Sequence, residues 1–348
     1  MTSTITRARA DAFCRDILHQ LGVGEREAQV CSDVLVESSL RGVDSHGILS
    51  LPIYAERIRS GQMCPGVDLQ IVRDRGATLF CDGGHGLGPV QALEAAALVV
   101  DKAAQAGVGV ASISNCNYVG ALAPYVERIG QSGMLGMCAA NSTPRVAPHG
   151  GREGVHGTNP LSYAVPSADG QMLVFDAATG HSAARVTAAR DEGLCVGDGV
   201  LVDAQGRPSN DPEALEGGAL LPVGGALGYG LGLLVDLLCG GLSGGPCGRD
   251  VPPVEELSGP YGSSFFIMAI DGDFFGGREV LAERCAFLMH SVRQIAPALG
   301  TDRVRAPGER AVQERQARIQ RGIPLSAERW NAVLQRLRRC ELAVEDWC

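Results

Sequence analysis

Gly84-His85-Gly86-Leu87-Gly88 stands between a strand-like run, Ala77-Thr78-Leu79-Phe80-Cys81, and a long Ala-rich helical run over 89–105. Strand, glycine turn and helix is how a Rossmann dinucleotide unit begins, so the glycine spacing here decides between fold classes. That unit needs Gly-x-Gly-x-x-Gly, with an acid about 20 residues further on after a second strand. Here the glycines run Gly-x-Gly-x-Gly, as they do again in Gly228-Tyr229-Gly230-Leu231-Gly232, and no acid follows at that spacing. A dinucleotide bound by this chain is not held by a Rossmann turn.

Outward from this stretch, the pattern divides the chain. Apolar residues at helical spacing predict helices over 5–21, 25–40 and about 51–60, with Gly22 and Gly61 as stops. Strands are expected at 69–72, 77–81, 109–114, 134–139, 161–165, 172–175, 200–203 and 264–270, and helices at 89–105 and 122–131. A buried helix packed through its glycines is expected over 229–239. Helices return at 278–296, about 309–321 and 326–341, with Ser326 as an N-cap. The expected division is a helical domain, 1–67 together with 278–348, and an α/β cofactor and substrate domain, 68–277.

The chain has 348 residues, 45% hydrophobic and 20% charged, enough to bury a substantial core. Its net charge of −9 argues against nucleic acid, which demands a basic surface. Lys102 is the only lysine among 30 Lys and Arg residues and falls on a helix surface, which argues against Schiff-base, lysine-base and P-loop chemistry. The twelve cysteines form no Cys-x-x-Cys pair and read as small buried hydrophobes in a reducing compartment. The N-terminus has no long apolar stretch, and the most apolar run, 228–242, is broken by Asp236 and glycines. A cytoplasmic protein without a membrane span is expected.

Of seven histidines, His19 and His290 lie on helices among apolar residues. The others fall in glycine-rich or loop contexts, and the sharpest is Asp44-Ser45-His46-Gly47. An imidazole flanked by a hydroxyl and a carboxylate suits a general acid or base near pH 7; the same residues also suit a capping Asp-Ser beside a surface histidine. Val155-His156-Gly157-Thr158-Asn159-Pro160 sets a glycine, a hydroxyl and an amide before a strand, and 222–232 opens a glycine-rich helix whose N-terminus can accept an anion. His85, His149, His156 and His181 show no metal-ligand spacing, so no metal is expected.

These segments resemble, over nearly the whole length, the type-2 malate/L-lactate dehydrogenases, the sulfolactate-dehydrogenase-like oxidoreductases. The matching text is Arg41-Gly-Val-Asp-Ser-His-Gly47 with Tyr54 and Gly61; Gly157-Thr-Asn-Pro160; Asp176-Ala-Ala-Thr179; Asp203-Ala-Gln-Gly206 with Asp211-Pro212; Gly228-Tyr-Gly-Leu231 through Leu242-Ser-Gly244; Pro307-Gly-Glu309; and Arg321-Gly-Ile-Pro324. The resemblance implies a non-Rossmann α/β fold, a mostly antiparallel mixed sheet between helical N- and C-terminal segments, in a homodimer. It implies NADH or NADPH and a small-molecule substrate, a 2-oxo or 2-hydroxy acid or a cyclic imine carboxylate. His46 would be the proton donor, oriented by Ser45 and Asp44, with Tyr118 beside it. Asn141, Ser142, Thr158, Asn159, Asp176, Ala178, Thr179, Gly180, Gly228, Gly308 and Glu309 would line the cofactor.

The family pattern breaks at five places. An Arg expected four residues after the motif His, a natural clamp for a carboxylate, is Ser50. A second His is Tyr118, a His-Lys pair is Ala226-Leu227, a Ser is Gly180, and a Gly-Lys is Arg185-Val186. Tyr118 can still donate a proton, and Arg145, Arg152 or Arg185 could meet an anion. The alternative reading is therefore a diverged member that uses the same pocket for a non-redox acid/base step: isomerisation, cyclisation or elimination.

Overall fold

The computed structural model describes residues 2–253 and 256–347. In chain order its elements are β1 (Thr2–Ile5), α1 (Arg7–Gln20), α2 (Glu25–Leu40), α3 (Leu51–Arg59), β2 (Gln70–Arg75), β3 (Thr78–Asp82), α4 (Gly88–Ala106), β4 (Val108–Ser114), α5 (Ala123–Gly130), β5 (Leu135–Ala140), β6 (Leu161–Pro166), β7 (Met172–Ala177), α6 (Ala183–Asp191), β8 (Leu201–Val202), β9 (Pro208–Ser209), β10 (Ala219–Leu220), α7 (Ala226–Asp236), β11 (Phe265–Ile270), α8 (Arg278–Arg293), α9 (Glu309–Arg321), β12 (Ile323–Ser326) and α10 (Ala327–Arg339).

The central sheet has the order β2-β3-β4-β11-β5-β6-β7. The β3/β4 pair is parallel and every other pair is antiparallel, as expected of a mostly antiparallel mixed sheet. A parallel pair requires a crossover, and α4 supplies it. The alanines of its inner face (Ala92, Ala95, Ala96, Ala103) let it lie close to β4. That contact is so tight that a Cβ on Gly109 would overlap the Val99 carbonyl oxygen. α4 and α5 share a core with the sheet through Val99, Ile113, Val126, Ile129 and Phe265. Val235 and Cys239, at the end of α7 and in the wide turn after it, pack on Ala139 and Phe266.

A second core gathers α1, α2, α3 and α10 around Phe13, Ile17, Leu35, Tyr54 and Leu334. The two chain ends meet there, because β1 pairs antiparallel with β12, Ile5 opposite Ile323. This corrects the first predicted helix. Thr6 caps α1 by accepting the Arg9 N–H at 3.3 Å, so Ile5 belongs to a strand whose partner is more than 300 residues away. Ser326 caps α10 in the same way, accepting from Arg329 N at 3.2 Å.

The glycine-rich helix differs from expectation on one side. Gly228 and Gly232 are buried and allow the predicted close packing, but Leu227, Leu234, Leu237 and Leu242 are exposed. No helix among the described residues is long and apolar enough to cross a membrane. Their eleven cysteines are free thiols, and eight of them are buried.

Candidate active site

His46 ends a tight 3₁₀ turn, Asp44–His46, which leads through a second one, Ile48–Ser50, into α3. The turn is fixed from two directions. Gly47 lies against Ser39, whose Oγ accepts the Ile48 N–H at 2.9 Å, and a Cβ on Gly47 would overlap that oxygen. Arg318 of α9 reaches across and donates from Nη1 and Nη2 to the two carboxylate oxygens of Asp44, at 2.5 and 3.2 Å, and from Nη1 to Ser39 O at 2.7 Å. Asp44 was expected to orient the imidazole. Its carboxylate instead faces Arg318 and fixes the turn that carries the ring.

The partner of the imidazole is Ser45, whose Oγ lies 2.8 Å from His46 Nδ1. With Nδ1 engaged, Nε2 is the nitrogen left for a substrate. Burial lowers the His46 pKa below the ordinary histidine value, so the ring is neutral at pH 7. Tyr118 stacks beside it, with ring centroids 6.1 Å apart and planes 14° from parallel, and the Tyr54 ring meets Tyr118 edge-on. Burial raises the Tyr118 phenol, while the neighbouring Ser50 hydroxyl and Arg57 pull it back. Two positions where the family pattern breaks, Ser50 and Tyr118, are thus brought next to each other and to His46.

The residues expected to line a cofactor separate into two groups. Ser142, Thr158, Asn159, Thr179, Gly180 and Gly228 converge where the loop after β5, the end of β7 and the start of α7 meet. Asn159 Oδ1 accepts Ser142 N–H at 3.1 Å, and its Nδ2 donates to Gly232 O at 2.9 Å. Thr179 Oγ1 donates to the carbonyls of Thr158 and Asn159, at 3.1 and 3.0 Å, while its own carbonyl accepts Val223 N–H at 2.9 Å. Gly180 pairs with Pro222 against Val146, where any Cβ would overlap the Val146 side chain, so serine does not fit this backbone.

Other residues of the expected set have structural partners. Asn141 Oδ1 accepts Ser264 N–H at 2.8 Å, and its Nδ2 donates to Pro246 O at 2.8 Å and to buried Asp236 at 3.3 Å. Asp176 Oδ2 accepts the Leu122 and Ala123 N–H groups, both at 2.9 Å, capping α5. Ala178 follows it, half-buried. Gly308 lies against β7, where a Cβ would sit 2.8 Å from Val174 O. Glu309 accepts from Arg293 Nε at 2.5 Å and from Ala306 N at 2.9 Å. Among the described residues, this last pair approaches the first group along β7, where Gly308 meets Val174.

The start of α7 lies against Thr179, through the Val223 N–H to Thr179 O hydrogen bond. Gly224 and Gly225 both have positive φ, 67° and 63°, and no side chain caps the helix. A Cβ at Gly224 would meet Leu227 Cβ at 4.0 Å, and the His149 ring stands 3.4 Å from the Cβ position of Gly225. The N-terminus of this eleven-residue helix is a candidate anion site that needs no lysine, with the Gly225 and Leu227 N–H groups already serving Pro222 O and Gly224 O. This matters because the two lysine positions of the family pattern are spent elsewhere. Val186 is buried with Val146, Leu201 and Leu220, and Leu227 is exposed. Among the described residues, no three His, Cys, Asp or Glu could hold a metal ion. His156 is buried, its Nδ1 2.7 Å from Gly157 O and its ring stacked on Tyr229.

Arg318, Arg57 and Tyr261 belong to this region without having been read from the sequence. Arg57 had a signal: it is a charge three residues after Tyr54, on the apolar stripe of a helix. Arg318 sits on a helix of mixed charge, where nothing marks one arginine among several.

A sequence model of the malate/L-lactate dehydrogenase family matches residues 5–334. The chain is 30% identical over 333 residues to an L-sulfolactate dehydrogenase of Methanocaldococcus jannaschii, covering 95% of this chain and 96% of that one. The solved structure of that dehydrogenase superposes with a TM-score of 0.91 over 99% of both chains. A ureidoglycolate dehydrogenase (NAD(+)) of Escherichia coli K12 is 32% identical, with 88% of this chain and 90% of that one covered. A delta(1)-pyrroline-2-carboxylate/delta(1)-piperideine-2-carboxylate reductase of Pseudomonas putida is 31% identical, with 94% and 96% covered.

Proposed function

Because the chain belongs to the malate/L-lactate dehydrogenase family, we propose that it interconverts a small 2-oxo acid, or a cyclic imine carboxylate, with its reduced form, using NADH or NADPH, with His46 handling the proton. The observation that carries this is the His46 site: a ring positioned by Ser45, flanked by Tyr118, on a turn anchored by Arg318. A bound nicotinamide supplies or accepts the hydride. The chain's own residues do the rest. The N-terminus of α7 would hold a phosphate, with Thr158, Thr179 and Gly228 forming the wall beside it. His46 Nε2 gives a proton to the developing alkoxide or amine in reduction and removes it in oxidation.

The lowered His46 pKa sets the sign of the pH dependence. Reduction needs the imidazolium, so its rate should fall as pH rises through a value below the ordinary ~6.5. Oxidation needs the neutral ring and should be level above that value and fall below it. The same depression makes the folded state bind this proton less tightly than the unfolded chain. Its contribution to stability is present above pH ~6.5 and is lost as pH falls through the folded value. Titrating the protein calorimetrically with NADH and with NADPH checks the reading; micromolar binding of one of them is expected, and binding of neither would overturn it.

The loss of both family lysines, to buried Val186 and exposed Leu227, favours the non-redox reading as the second choice. The same titration separates the two. The homodimer belongs to this proposal as well. The exposed Leu234, Leu237 and Leu242 would form the apolar face for a second copy. Light scattering should give a dimer for the protein and a monomer for a Leu234→Asp, Leu237→Asp variant; a monomeric parent would sink this assignment.

A further inference from the structure

The glycine run at the start of α4 lacks the Rossmann spacing, and the fold gives it another neighbour. β3 and β4 are parallel, with Asp82 level with Ser114, so the run 83–88 and the loop that carries Tyr118 leave the sheet side by side. In a Rossmann unit the glycines after the first strand let a pyrophosphate approach the backbone. Here the close approach is made by main chain. A Cβ on Gly83 would lie 2.8 Å from Asn115 O. One on Gly88 would overlap Tyr118 O and sit 2.7 Å from Tyr118 C and 2.8 Å from Asn117 O.

The seam between the two loops is hydrogen-bonded. His85 N–H donates to Asn115 O at 2.9 Å, and Gly83 N–H to Ser114 O at 2.8 Å. Asp82 Oδ1 joins both sides, accepting Gly84 N–H at 2.9 Å and Asn115 Nδ2 at 3.0 Å. His85 and Asn115 have left-handed backbones, φ 61° and 49°, a strain that persists only where the surroundings over-determine it. The other side of the Tyr118 loop is held from α3. Asn117 Oδ1 accepts the Tyr118 N–H and Arg57 Nη1, each at 2.9 Å, and its Nδ2 donates to Gln62 O at 2.8 Å.

The Tyr118 backbone is thus fixed on two sides where its ring meets the imidazole, 6.1 Å away by centroids. Two residues on, the Cβ position of Gly120 is 4.0 Å from His46 O, so the same loop also borders the His46 turn. The titratable and charged groups around the ring are Asp44, paired with Arg318, and Tyr118, with Tyr54, Arg57 and Tyr261 behind it. The lowered His46 pKa comes from burial rather than from these groups.

We propose that Gly88 is a positioning residue of this site: by carrying no side chain it lets the start of α4 set the main chain of Tyr118, and Tyr118 in turn holds the face of the His46 ring. That this ring handles the proton rests on the proposed redox role of His46; how the ring is held does not.

NMR titration of the imidazole resonances, with His46 assigned by its loss in His46→Ala, tests this on the full-length protein and reads the ring whether or not it turns over. Gly88→Ala displaces the Tyr118 loop. Gly109→Ala is the control, because its Cβ overlaps the Val99 carbonyl oxygen further along the same helix. Gly88→Ala should move the His46 titration up toward the ordinary ~6.5 and lower turnover about tenfold or more, with coenzyme affinity unchanged. Gly109→Ala should lower the melting temperature and do neither. Should Gly88→Ala not fold, Asp82→Ala replaces it, since it frees two of the hydrogen bonds of the seam and adds no atom. Tyr118→Ala should shift the titration in the same direction, and Tyr118→Phe, which keeps the ring, should restore it. A parent-like titration in the loop variant or in Tyr118→Ala overturns the proposal, as does an equal shift in Gly109→Ala. The expected shifts in a protein that binds neither coenzyme would uphold it and remove the redox reading alone.

Discussion

His46→Ala should lower kcat by 10²- to 10⁴-fold while leaving coenzyme affinity and melting temperature nearly unchanged. The range is what a positioned general acid or base contributes, ~3 to 5 kcal/mol of barrier. The fold should tolerate the change because the turn is not held by the imidazole. Its anchors are the Asp44–Arg318 pair and the Ser39–Ile48 hydrogen bond, and the ring's own partner is its neighbour Ser45. The pH profile gives a readout that a structural role would not move: the limb set by the lowered His46 pKa should vanish in the variant. Ser45→Ala should cost less, about tenfold, since it loosens the ring without removing it. Asp44→Asn should act mainly on stability, because its two oxygens serve Arg318. If His46→Ala turns over at the parent rate in both directions, the imidazole is a surface residue and both the redox and the non-redox readings of this pocket fall.

The parts of the molecule that could be read in advance are those whose information is local. The helix expected over 25–40 is observed as Glu25–Leu40, and that over about 309–321 as Glu309–Arg321, because apolar spacing and terminal glycines act within a few residues. β1 was missed because four residues carry no period and their pairing partner, β12, is at the other end of the chain. The face of α7 was half right for a related reason. Glycines at 228 and 232 announce close packing, but the sequence does not say on which side a leucine-rich helix remains uncovered.

Site residues follow the same division. His46 and Ser45 are adjacent in sequence and form their contact locally. Asp44, Asp176 and Glu309 are polar groups whose partners are tertiary: Arg318, the N-terminus of α5, and Arg293 with Ala306. A short acidic side chain looks the same in sequence whether it touches a ligand, caps a helix or pairs with an arginine. The losses at Ser50 and Tyr118 looked like two separate defects in the sequence, yet in the fold they adjoin each other and Arg57. That adjacency is tertiary, and only the three-dimensional arrangement shows it.

Gly228→Ala should be the most damaging small substitution near the cofactor-lining group, and Gly230→Ala, two residues on in the same helix, should be harmless. A Cβ on Gly228 would overlap the Val223 carbonyl oxygen, lie 2.5 Å from Thr179 O and 2.8 Å from Val223 N. All three are backbone atoms, so no side chain can swing away; the start of α7 has to move or the Thr179–Val223 hydrogen bond has to open. Overpacking of this kind costs about 1–3 kcal/mol or somewhat more. In a chain of this size that is a drop of several degrees in melting temperature. The displaced element is the one whose N-terminus is proposed to hold the coenzyme phosphate, so coenzyme affinity should fall about tenfold or more. At Gly230 a Cβ meets nothing within 4 Å. There alanine removes freedom from the unfolded chain and should be neutral or stabilising by up to ~1 kcal/mol. Thermal melts and coenzyme titrations of the two variants, measured side by side, make the comparison internal. Equal melting temperatures would mean that α7 does not lie against Thr179 and Val223 as described, and equal coenzyme affinities would mean that its N-terminus is not where the phosphate sits.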